Sequence, residues 1–131
     1  MKIIYKSLLI WAAIIPLAII NGIFREAVLN TVMSAYAAMM VSGIFLSLFI
    51  IALTIIFIPK IGRTDAATYI KMGLVWILAT VAFEFAFGFA GGEEFSQMIR
   101  AYDITTGNLW LLVVLVTGVS PWVAAKVRKI I

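Results

Sequence analysis

With 65% of its 131 residues hydrophobic, only 12% charged and a mean hydropathy of +1.17, the chain carries more apolar surface than a soluble domain of its length can bury. It has neither cysteine nor histidine, which removes disulfides, thiol nucleophiles, imidazole acid-base chemistry and the usual zinc and haem ligands, so no cofactor is expected. A net charge of +4 would invite a nucleic-acid partner in a soluble protein, but here the placement of the charges accounts for it and the expected surroundings are a lipid bilayer.

Charges divide the sequence into four apolar stretches: Lys6 to Arg25, Glu26 to Lys60, Lys71 to Glu93 (interrupted by Glu84), and Asp103 to Lys126. They enclose 18, 33, 21 and 22 residues, against the roughly 20 that cross about 30 Å of hydrocarbon as helix. The second is too long for one ordinary span. Asn30, Thr31 and Ser34 predict a turn or interfacial segment in its early part, with a helix starting near Tyr36. The spans are expected at about 7–26, 36–58, 71–91 and 107–126, in a single transmembrane domain covering residues 1–131. A cleaved signal peptide is the competing reading of the first stretch. It finds no small-residue cleavage pattern at Asn21-Gly22-Ile23-Phe24, so the span is expected to be retained.

Grouping the N-terminus, the middle loop and the C-terminus puts Lys2, Lys6, Lys60, Arg63, Lys71, Lys126, Arg128 and Lys129 on one side, against Arg25 and Arg100 on the other. The positive-inside rule then predicts both termini in the cytoplasm. Trp11, Trp76 and Trp122 lie four or five residues from lysines of the basic side, and Tyr36 and Trp110 begin spans at the other face, as an aromatic belt would. The loop Pro59-Lys60-Ile61-Gly62-Arg63-Thr64-Asp65 is short and rich in turn residues, which makes the second and third spans antiparallel neighbours. Between the third and fourth spans, Phe95, Met98, Ile99 and Tyr102 recur at helical spacing while Glu93, Glu94, Gln97 and Arg100 face elsewhere. That pattern predicts a short amphipathic interfacial helix over about 93–103 on the outer side.

Glu84 stands about twelve residues into the third span, where an unpartnered carboxylate costs several kcal/mol. Arg25, at the outer end of the first span, is the expected counter-ion, with Asn21 one turn earlier on the same helix face. This pair would either staple two spans or form the floor of a polar pocket rimmed by Glu26, Tyr102, Asp103 and Asn108. Small residues recur at four-residue spacing as Ser34, Ala38 and Ser42 and as Gly43 and Ser47, and Ala79, Ala82, Ala86 and Ala90 line one face of the third span; such surfaces let helices approach closely. Pro16 and Pro121 interrupt the hydrogen-bond ladders of their spans. The rings of Phe83, Phe85, Phe87 and Phe89 alternate along the chain and so point in several directions around a helix; a cation-binding aromatic cage would need further residues to converge.

Three local patterns, Asn21-Gly22-x-x-Arg25-Glu26, Phe83-Glu84-Phe85-x-Phe87-Gly88 and Tyr102-Asp103-x-x-x-Gly107-x-Leu109-Trp110, together resemble an uncharacterised group of small four-span bacterial membrane proteins. The resemblance covers most of the chain and implies a bacterial inner-membrane protein, with no activity attached. Fluoride channels carry glycine-rich and Thr-Thr-Phe-Ser-type motifs that are lacking here, and small multidrug exporters place their glutamate in the first span.

The expected fold is therefore all-α: an antiparallel four-helix transmembrane bundle with a short interfacial helix. The leading functional expectation is that the constellation of Asn21, Arg25, Glu26, Glu84, Tyr102, Asp103 and Asn108 binds a small polar or charged solute or a proton, in transport or sensing. So small a protomer leaves little room for an aqueous path, so transport calls for a homo-oligomer or a membrane-protein partner. The alternative is an accessory or scaffold subunit of a membrane complex. An intramembrane enzyme ranks last, since no Ser-Lys or paired-aspartate spacing is present and no catalytic or metal-ligating set is assigned.

Overall fold

Four helices long and apolar enough to cross a membrane dominate the computed structural model, which describes residues 2–100, 102–103, 105 and 109–131; no strand occurs among the described residues. The first, α1 (Lys2–Phe24), continues through Pro16 into a π-helical turn, Arg25–Leu29, and a last helical turn, α2 (Asn30–Val32). The backbone N–H of Asn30 donates to the carbonyl of Arg25, five residues back, which widens the turn by one residue. The turn expected at Asn30 and Thr31 is thus displaced. Both residues are helical, and the chain breaks at extended Met33 and Ser34. Ser34 then caps α3 (Ala35–Phe57) by accepting a bond from the Ala37 N–H at 3.2 Å.

A 3-10 turn, Ile58–Ile61, closes α3. Pro59 within it has no N–H, so the carbonyl of Ile55 loses its normal helical donor; the Arg128 guanidinium donates to that oxygen at 3.2 Å from the far end of the chain. Gly62, at φ +116°, reverses the backbone toward α4 (Ala66–Ala90). Asp65 caps this helix, accepting from the Thr68 N–H and hydroxyl at 2.9 and 2.6 Å, and the Thr68 bonds hold its carboxyl below the usual aspartate range.

The far end of α4 positions the candidate site. Gly92 takes φ +85°, the Glu93 N–H donates to the Gly88 carbonyl at 2.9 Å, and the Gly92 N–H donates to Phe89 at 3.1 Å. These paired bonds make a Schellman cap, which folds Glu93 back along the helix it has just left. There follows α5 (Phe95–Arg100), which is shorter than the helix expected over 93–103. Of its apolar residues Met98 is buried against α4 at Gly88, whereas Phe95 and Ile99 remain exposed. Tyr102 lies in the turn beyond it. The last helix, α6, is described as Trp110–Val127; residues 107 and 108, at the start of the expected fourth span, lie outside the described residues.

The long helices alternate in direction. Asn21 meets Ser42 and Ile3 approaches Gly62, so α1 and α3 run antiparallel; Gly43 lies against Leu109 while Arg128 reaches Ile55, so α3 and α6, the second and fourth of the long helices, run parallel. Helix α6 packs broadly on both α3 and α4, while α1 meets α4 only sparingly. At the α4–α6 crossing Gly73 faces Gly118 so closely that a Cβ on Gly73 would overlap the Gly118 carbonyl. The largest fully buried side chains, Trp76, Tyr69, Ile50, Ile58 and Met72, gather toward the end that holds both termini. Two indoles tie α1 to α4 there: Trp76 donates to Ser7 Oγ at 3.1 Å, and Trp11 donates to Thr80 Oγ1 at 2.9 Å. Beyond the second tie the two helices are no longer joined by hydrogen bonds among the described residues, and a cavity opens.

Candidate functional site

That cavity, of about 310 Å³, lies between α1 and α4. Its α1 wall is Trp11, Ile14, Ile15, Ala18 and Ile19; its α4 wall is Thr80, Phe83, Glu84, Phe87 and Gly88; Glu93 and Trp110 complete it. Helical spacing explains the α4 wall, since positions 80, 83, 84, 87 and 88 share one face. The aromatic side chains are ordered against one another. Trp11 meets Phe83 edge-on at 6.3 Å, and Phe83 stacks on Phe87 at 5.8 Å.

Glu84 is half-buried in this otherwise apolar wall. Its Oε2 accepts a hydrogen bond from the Tyr102 hydroxyl at 2.9 Å. Tyr102 is held in place by stacking on Phe85, with centroids 6.4 Å apart and planes 8° from parallel, and Phe95 packs on another part of the same ring. The Trp110 side chain interacts with both Glu84 and Tyr102. Burial, reinforced by the carboxylate it donates to and opposed in part by Trp110, pushes the Tyr102 phenol up to about 12. The charge that acts on Glu84 is the like charge of Glu93. The Schellman cap brings that side chain back to the cavity, and its Oε2 would be 2.8 Å from a Cβ placed on Gly88.

Arg25 is not the partner of Glu84. It lines a second, smaller cavity of about 130 Å³ between α1, α3 and α6, together with Asn21, Ser42, Gly43 and Leu109. Asn21 does not bond to an Arg25–Glu84 pair either; its side-chain oxygen accepts from the buried Ser42 hydroxyl and so joins α1 to α3. Ala18 and Trp110 border both cavities, so the indole of Trp110 stands between the cation and the carboxylate that hydropathy alone would have joined. No ion pair links Arg25 and Glu84 among the described residues.

The remaining expected rim residues do not converge on Glu84. Glu26 is exposed on the π turn. Asp103 is exposed and accepts from the Thr105 N–H and hydroxyl at 3.0 and 2.6 Å, bonds that hold its carboxyl below the usual range. Asn108 lies outside the described residues. Of the expected set, the structure brings together Glu84 with Tyr102, and Asn21 with Arg25. Sequence reasoning missed Glu93, Trp11, Thr80 and Trp110 as wall residues. The Gly91-Gly92 pair after a long helix was the available signal for Glu93, because it announces a helix cap that turns the next residue back. Trp11 and Trp110 stand where an aromatic belt is expected, and nothing local marks them as cavity walls.

The arrangement offers a single carboxylate with a hydroxyl donor at one end of an aromatic and aliphatic cleft, plus a second carboxylate at its lip. No group of three or more acidic side chains suited to a metal ion occurs among the described residues. Compared with family models, curated proteins and solved structures, the chain matches none.

Proposed function

We propose that this is a multi-pass protein of the bacterial inner membrane, an antiparallel four-helix bundle with both termini cytoplasmic and α5 at the outer interface, that binds a small polar or charged solute at Glu84 for transport or sensing. The single observation that carries the reading is the cavity between α1 and α4, with a half-buried carboxylate held by Tyr102 in a mostly apolar wall. Ionisable groups at membrane depth are costly and tend to face cavities and substrate paths, which is where Glu84 lies. The charge asymmetry of the loops supports the orientation, in which the cavity falls in the outer half of the bilayer. Reconstitution into proteoliposomes tests the function. Glu84→Gln preserves shape and hydrogen-bonding capacity while removing the charge, so the variant is expected to fold but to lose any proton- or ion-coupled flux. Flux equal to that of the parent protein would reject a solute site at Glu84.

A second reading, an accessory subunit, draws on the exposure of Ala82, Ala86 and Ala90 along one face of α4. A row of small side chains left uncovered within one chain suits close packing against another membrane helix.

A further inference from the structure

We infer that the ligand of the α1–α4 cleft is an organic cation with an apolar body, a hydrophobic amine or quaternary ammonium, entering sideways from the bilayer. The inference rests on the solute-binding reading above and narrows it to one chemical class.

Charge comes first. Glu84 and Glu93 both line the cleft, and no lysine or arginine does, because Arg25 lies in the other cavity beyond Trp110. An anion would meet two carboxylates with no compensating cation, in surroundings where like-charge repulsion is poorly screened. A bare metal ion would need several oxygen ligands, whereas most of this wall is hydrocarbon and aromatic carbon. An ammonium group suits both features, since it pairs with a carboxylate and is attracted to the faces of aromatic rings. Trp11, Phe83, Phe87 and Trp110 border the same space as the two glutamates. About 310 Å³ is the size of a site for one small molecule rather than for a whole lipid.

Access comes second. Helices α1 and α4 meet sparingly, and the residues flanking the cleft are open to the surroundings: Ile19 is 59% exposed and Phe87 71%. With the protein in a bilayer, that opening gives onto acyl chains, so the ligand needs enough apolar surface to partition there before its charge reaches Glu84.

The test uses purified full-length protein in a non-ionic detergent and equilibrium dialysis with benzyltrimethylammonium, beside its neutral isostere neopentylbenzene. Saturable binding of the cation is expected. It should weaken about tenfold or more in Glu84→Gln, and severalfold in Phe87→Leu, a substitution at an exposed position that leaves the core untouched. Equal saturable binding of the neutral isostere, or cation binding unchanged in both variants, overturns the ligand class. Absence of saturable cation binding, with flux in proteoliposomes still dependent on Glu84, also overturns the class yet leaves the solute reading standing. Loss of both dependences overturns the two together.

Discussion

Glu84 owes its surroundings to residues distant in the chain. Its hydrogen-bond donor comes from the turn after α5, its neighbouring carboxylate from the cap of α4, and Trp110 from the start of α6. Tyr102 is the most accessible handle on this group. With its phenol raised from the ordinary 10.0 to about 12, chiefly by burial and further by the bond to Glu84, the stability that depends on a protonated Tyr102 is fully present below pH 10 and is lost as the pH rises through the folded value. Spectrophotometric titration should therefore show Tyr102 ionising near pH 12, and Tyr102→Phe should diminish the late-ionising tyrosine component. A titration curve unchanged by the substitution would mean that the phenol is not engaged.

At the scale of elements, helix contacts depend on a few positions where a side chain is lacking. A Cβ on Gly73 would strike the Gly118 backbone, which cannot move without separating α4 from α6. A Cβ on Gly118 would instead meet the side chain of Ile77, which can rotate away. Gly73→Ala is accordingly expected to cost about 1–3 kcal/mol or more through overpacking, and Gly118→Ala distinctly less. Denaturation midpoints in detergent measure the difference, and equal losses would contradict a backbone-limited crossing. The exposed alanine row of α4 allows a second test at this scale. If it docks another helix, chemical cross-linking in mild detergent should trap a stoichiometric partner or a homo-oligomer, and Ala86→Leu should reduce the yield severalfold by forcing the helices apart. Capture that is equally efficient in the variant would count against that face.

The whole molecule is unevenly built. The end holding both termini is closed by Tyr69, Met72, Trp76 and Ile58, by the two indole ties and by the Arg128–Ile55 bond. Both cavities lie toward the opposite end, on either side of Trp110. In the proposed orientation the tight end faces the cytoplasm. Because the chain has no cysteine, single substitutions at exposed loop positions report topology cleanly. An impermeant maleimide added to intact spheroplasts is expected to label Glu94→Cys and to spare Arg63→Cys. The reverse pattern would invert the molecule in the membrane and move the cleft to the cytoplasmic half.

What the sequence determined by itself was the helical class and the presence of four long apolar segments, because hydropathy accumulates along contiguous residues and needs no knowledge of neighbours. Local chemistry also marked Ser34 as part of a turn ahead of the second span, its capping of α3 being a finding of the structure, and Glu84 as a residue requiring compensation. The tertiary structure decided which group supplies it. Arg25 had the right charge and roughly the right depth, but depth is one coordinate, and the rotation of each helix about its axis decides which side chains meet. The close Gly73–Gly118 crossing brings α6 against α4, and Trp110, at the head of α6, borders the Arg25 cavity on one side and the Glu84 cavity on the other. With the indole between them, Glu84 takes its hydrogen bond from a tyrosine instead.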